Sequence, residues 1–148
     1  MEPLNKKKTL LVALAILAVA IALGTLITML HLHNTGRIKA VGVKFYWDYP
    51  CTNEATEINW GMVTPGNAYN VTLFCKNIKN TPVTLNMTTS NWNPPNANQY
   101  LQATWNYTGT VIQPNSVISI QFTLTVDPST TGIDQFSFDY NINAIEYV

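Results

Sequence analysis

Two hydrophobic patterns divide the chain. From Thr9 to Leu32 there is no charged residue and almost nothing polar (TLLVALAILAVAIALGTLITMLHL), whereas from Arg37 to Val148 apolar and polar side chains alternate between turn signals. The first pattern predicts a helix apolar on every side. About 22 apolar positions at about 1.5 Å each give roughly 33 Å, enough for a hydrocarbon core of about 30 Å. Lys6, Lys7 and Lys8 directly precede the run, and basic residues beside a span stay on the cytoplasmic side. The expected layout is a cytoplasmic basic N-terminus over 1–8, a transmembrane helix over 9–32, a short linker over 33–36 and an extracellular domain over 37–148. A secretory signal peptide shares the basic start, and Ala20-Ile21-Ala22 has the form of a cleavage site. The apolar run continues about ten residues further, beyond the usual 7 to 15 of a signal peptide's core, which favours an uncleaved signal-anchor.

The second pattern predicts strands. Ile118, Ile120, Phe122, Leu124 and Val126 share one face while Ser119, Gln121, Thr123 and Thr125 share the other, as in a strand with one side on a core and one in water. Phe136, Phe138, Tyr140, Ile142 and Ala144 repeat this against Ser137, Asp139, Asn141 and Asn143. Further strands are expected at Val83 to Thr88, around Val71 to Lys76, from Leu101 to Tyr107, from Arg37 to Trp47 and near Thr56 to Trp60. Turns such as Pro65-Gly66-Asn67, Asn93-Pro94-Pro95-Asn96 and Asp127-Pro128-Ser129 separate them. Seven short antiparallel strands in about 110 residues predict an all-β, seven-stranded immunoglobulin-like sandwich.

Charge and chemistry-bearing residues narrow the function. Only 11% of residues are charged and the net charge is zero, which argues against a nucleic-acid partner. That zero is a sum: residues 1–8 carry three Lys and Glu2, while Arg37 to Val148 holds five basic and seven acidic residues, none of the basic ones after Lys79. No His follows His33, so His-based zinc or blue-copper sites and Ser-His-Asp or Cys-His catalysis have no base within one outer domain. His31 and His33 themselves lie two apart on the expected helix and point to different sides. No pair among Asp48, Glu54, Glu57, Asp127, Asp134, Asp139 and Glu146 is placed by sequence for acid and nucleophile roles, and no acidic loop motif supports calcium at Asp127 and Asp134. The expectation is a protein that is not an enzyme and uses no cofactor or metal.

Cys51 and Cys75 are an even pair on the side expected to be oxidising, and a bridge between them is the expected state, worth roughly 3 kcal/mol for a loop of about 24 residues. The alternative is two buried free thiols. Sequons at Asn70, Asn86 and Asn106 permit glycosylation, although chance alone gives about three in so Asn- and Thr-rich a chain. Most aromatics alternate with polar neighbours and are expected in the core. Trp92, in the Pro-stiffened loop Ser90-Asn91-Trp92-Asn93-Pro94-Pro95, is the candidate contact for a glycan or partner protein; otherwise it caps an open end of the sandwich.

From Val43 to Asp139 the chain (VKFYWDYPCTNE, then INWGMVTPGNAYNVTLFCKNIKNTPVTLNMTTSNWNPPNANQY and later STTGIDQFSFD) resembles a group of small archaeal membrane-anchored, immunoglobulin-like surface proteins, mostly uncharacterised. The resemblance covers most of the outer domain and implies a cell-surface sandwich; it carries over no catalytic residue. Archaeal pilin and archaellin precursors share the basic leader, apolar helix and β-rich head, but Thr9 follows Lys8 where those have a small residue. The sequence reading is therefore a single-pass anchor in the lipid bilayer, carrying a non-catalytic structural or interaction module outside that contacts other surface proteins or copies of itself. Its rivals are a filament subunit, cleaved before Arg37 or at Ala20-Ile21-Ala22, whose freed first strand (Val41, Val43 and Phe45 on one face) completes a neighbour's sheet, and an accessory subunit of a membrane complex packing through Gly24, Thr25 and Thr28.

Overall fold

A computed structural model describes residues 34–148. The expected basic segment and the 9–32 helix lie outside the described residues, among which no helix is long and apolar enough to cross a membrane. The described part is a sandwich of two four-stranded sheets. In chain order the strands are β1 (Thr35–Val41), β2 (Val43–Tyr46), β3 (Glu57–Asn59), β4 (Ala68–Asn77), β5 (Val83–Asn93), β6 (Leu101–Trp105), β7 (Val117–Val126) and β8 (Ser137–Glu146), with a 3-10 turn at Pro95–Gln99 before β6. One sheet has the order β3-β1-β8-β5 and the other β2-β4-β7-β6.

There are eight strands where the alternation predicts seven, and the difference lies at Gly42. The single run expected from Arg37 to Trp47 breaks there: β1 joins the first sheet, β2 the second. Gly42 has φ +81, and a Cβ built on it would lie 2.9 Å from the Ala144 Cβ, so this crossing needs glycine. One residue of left-handed backbone also shifts the alternation by one. Ile38 and Ala40 turn toward the core from β1, Val43 and Phe45 from β2, and Val41, expected to share a face with Val43 and Phe45, is 65% exposed. The first strand also starts earlier than expected, at Thr35, inside the segment expected to be a linker.

β1 is an interior strand. It pairs antiparallel with β3 over three residue pairs, Thr35↔Asn59 to Arg37↔Glu57, and parallel with β8 over seven, Thr35↔Ser137 to Val41↔Asn143. Asn34, just before it, is buried: its side-chain amide donates to Gly61 O (2.8 Å) and its Oδ1 accepts from Phe136 N (3.0 Å). At the other end of the sandwich Asn77 does similar work. Its amide donates to the carbonyls of Thr81 and Ile112 and its Oδ1 accepts from Lys79 N, all at 2.9 Å, so a fully buried polar side chain is satisfied while it shapes the β4–β5 turn.

The space between the sheets is filled by rings. Phe45 of β2 meets Phe122 of β7 edge-on at 5.6 Å, Phe122 meets Tyr140 of β8 at 5.2 Å, and Tyr140 meets Phe138 at 4.8 Å. The inward alternation expected for β7 and β8 is the one observed, with Ile120, Phe122, Leu124, Val126, Phe138, Tyr140 and Ile142 all buried. Gly36 makes room for this cluster. A Cβ there would lie 2.6 Å from the Tyr140 ring and 3.1 Å from that of Phe138. Gly36→Ala is therefore expected to destabilise the domain by about 1–3 kcal/mol through overpacking. Urea unfolding of the two proteins side by side checks this; an unchanged midpoint would mean that Tyr140 does not lie against Gly36.

Candidate functional site

The sequence-derived candidates do not converge. Trp92 lies in β5, but instead of standing free its indole stacks on Phe138 with ring centroids 4.1 Å apart and planes 12° from parallel, and its Nε1 donates to Thr89 Oγ1 at 3.3 Å. It extends the ring cluster to one end of the sandwich, the capping role. The three sequon residues are all exposed, Asn70 on β4, Asn86 on β5 and Asn106 just after β6. Asn70 Oδ1 accepts from Thr123 Oγ1 and Asn106 Oδ1 from Gln121 N, which leaves the amide nitrogen, the atom a glycan would use, clear of these bonds.

The expected Cys51–Cys75 disulfide is absent: both are free thiols. Cys75 is on β4 opposite Phe45, fully buried among core side chains. Cys51 sits at φ +59 in a surface loop, and its Sγ turns to the Tyr49 carbonyl at 3.4 Å. Asp48 organises that loop. Its carboxylate accepts from Thr52 N, Thr52 Oγ1 and Asn53 N, the Thr52 hydroxyl doing most to hold its pKa below the ordinary value. The loop that Asp48 organises holds the Cys51 thiol toward the Tyr49 carbonyl instead. Burial, with a smaller contribution from Cys51, pushes the Cys75 thiol up to about 12, so it is protonated and inert at neutral pH.

The carboxylates are likewise separate. Glu54 pairs with Lys44 and Glu146 with Lys79, each at 2.9 Å and at the surface, where such pairs contribute little. Asp127 accepts from Ser129 N and Ser129 Oγ in its own turn. Among the described residues no group of three or more His, Cys, Asp and Glu is placed to hold a metal. An opening of about 440 Å³ lies beside that turn between Tyr100, Gln102 and Asp127.

The most organised polar cluster is one that alternation alone did not single out. Asp139 points to the outer, solvent side of β8, as expected, yet is only 5% exposed. Lys39 of β1 covers it, Nζ to Oδ2 at 2.6 Å, and so does Asn91 of β5, Nδ2 to Oδ2 at 2.7 Å. Arg37, directly across from Asp139 in the β1–β8 ladder, adds a nearby positive charge. Burial alone would raise the carboxyl's pKa; the hydrogen bonds from Asn91 and Lys39 and the charges of Lys39 and Arg37 outweigh it, and the value is lowered. Asn91 reaches inward because β5 bulges between Ser90 and Asn93 and Asn91 itself takes φ +54, a conformation Asn tolerates. Next to it Asn141 Nδ2 donates to Ser90 Oγ at 2.8 Å. One carboxylate thus ties three strands of the sheet together. Thr35, Arg37, Ser137 and Asn91 rim a polar opening of about 280 Å³ above it. The missing signal was non-local: the register that brings Lys39 near Asp139 is a parallel pairing between the first and last strands.

Two outcomes follow. Under native conditions a maleimide should label Cys51 alone, with Cys75 reacting only after denaturation; a native mass 2 Da below that of the dithiol, unable to take label, would contradict the free thiols. Asp139→Asn should cost about 1–3 kcal/mol at neutral pH. The wild-type advantage is full above the ordinary carboxylate pKa of 3.8 and is lost as pH falls through the lowered folded value, so the unfolding midpoints of the two proteins should converge in acid. A gap that stays constant would assign the loss to packing.

No protein family matches this chain, and no curated protein matches it.

Proposed function

We propose that the chain is a membrane-anchored, extracellular, immunoglobulin-like β-sandwich acting as a non-catalytic structural or interaction module of the cell surface. The observation that carries this reading is the chemistry of the sheets' outer faces. Thr84, Asn86, Thr88, Ser90, Asn141 and Asn143 on one sheet and Asn70, Thr72, Gln121 and Thr123 on the other are short, uncharged and hydrogen-bonding. Several bond to each other across strands, as Asn141 does to Ser90 and Thr123 to Asn70. Such a surface is wet without needing ion pairs, and its polar groups hold neighbouring strands instead of converging on a reacting atom.

Two further features support the placement. The uncharged 9–32 stretch follows three Lys, the arrangement of an anchor with its N-terminus in the cytoplasm, and the first strand begins at Thr35, directly after it. Two packed sheets of short, mostly antiparallel strands fit the immunoglobulin-like plan, from which the parallel β1–β8 pair departs. The test is the mass of the native chain taken from membranes, together with protease treatment of intact cells. The expected result is an uncleaved chain of 16.5 kDa, before any glycan, whose outer domain is digested from outside. A chain lacking its first 22 or more residues, or one shielded from protease in intact but not in opened cells, would overturn the reading.

A further inference from the structure

The first strand is held in a way that suits exchange between copies, and we propose that Thr35–Val41 of one copy occupies the slot between β3 and β8 of a second copy of this chain. This goes beyond the surface-module reading and stands whether or not 9–32 is an anchor.

Three observations carry it. First, the occupant is defined by the slot, since the segment that best fits between β3 and β8 is the one already there, paired over seven residues with β8 and three with β3. A second copy presents the same segment, and exchange preserves every contact. Second, most of what holds β1 is its backbone ladder to β3 and β8, which a second copy offers equally. Toward the core β1 offers Gly36, Ile38 and Ala40, and only Gly36 is fully buried. Its outward grip is the Lys39 to Asp139 pair, whose lysine end is half-exposed. Third, the connection to β2 is the single residue Gly42, which carries the chain from one sheet to the other with no loop between. Hinges this short favour swapping, because an extended chain removes the need to fold back.

The alternation on either side of Gly42 fits the exchanged form. In one straight strand from Thr35 to Tyr46, the even positions Ile38 and Ala40 face one way and the odd positions Val43 and Phe45 the other. A strand so patterned can place Ile38 and Ala40 in a neighbour's core and Val43 and Phe45 in its own. In the folded-back form the same pattern needs the phase shift that Gly42 supplies.

Val41 and Asn143 are register partners, both exposed and outside the Asp139 cluster, and they allow a direct test. In the full chain with Cys51→Ser, and with buried Cys75 left in place, Val41→Cys and Asn143→Cys are introduced together or on separate chains and bridged by a short bifunctional maleimide. If strands exchange, the double variant gives cross-linked dimers or a ladder that grows with protein concentration, and co-expressed single variants give a cross-linked pair that neither gives alone. Inserting Gly-Ser-Gly after Gly42 should return the cross-link to within one chain by letting β1 fold back easily. A double variant that seals only internally at every concentration overturns the proposal. So does an intermolecular product unchanged by the insertion, which would be collisional, and so does the absence of any cross-link, which would mean that β1 is not beside β8.

Discussion

Close contact between aromatic rings and a backbone without side chains organises this sandwich. Phe45, Phe122, Tyr140, Phe138 and Trp92 form one continuous series of ring contacts from the second sheet into the first and on to its end. Rings of this size need depth, and the depth is available because Gly36 passes over Tyr140 where any side chain would collide with it. The Tyr140 hydroxyl is itself buried without a hydrogen-bond partner. The cluster therefore tolerates an unsatisfied polar atom for the sake of a filled interior, and burial keeps that phenol protonated well above its ordinary range. Strand β1 is consequently thin on its inner side and must be held by its backbone and its outer face.

That outer face explains why a charge-poor surface has one firmly buried carboxylate. Asp139 receives donors from β1 and β5 at once, so it joins the first strand, the last strand and the long edge strand of the same sheet. Replacing such a group by an apolar one of similar size is often tolerated in proteins, whereas removing one partner is not. Its value is positional: a parallel pair formed between the two ends of the domain has no turn to fix its register, and a specific ionic contact supplies what the missing turn cannot.

Much of this fold was legible in the sequence where a residue's environment follows from its own strand. The period of two in β7 and β8 identified their inward faces because each strand has one side on the core and one toward water. Where the environment depends on a partner strand, alternation was silent. It could not show that Gly42 crosses between sheets, since glycine within an apolar run also fits an unbroken strand. Asp139 was assigned to the correct face, but its burial comes from Lys39 and from Asn91, which reaches it only through a bulge and a left-handed backbone. Cys51 and Cys75 matched the composition of a bridged pair, but Cys51 sits in the Asp48-organised loop with its thiol turned to the Tyr49 carbonyl. Trp92 stood out because two Pro residues closely follow it; its stacking on Phe138 is a tertiary contact.

The parallel pairing of β1 with β8 also determines how this domain bears load. In a parallel pair the start of one strand and the end of the other lie at opposite ends of the ladder. Tension entering at Asn34 and leaving beyond Glu146 therefore pulls β1 and β8 past each other lengthwise, and the hydrogen bonds along the seven paired positions resist together instead of opening one by one like a zipper. The buried Asn34, held to Gly61 and Phe136, is where that tension first meets the folded body. A domain joined in this way is a stiff mechanical link along the direction in which its first strand runs.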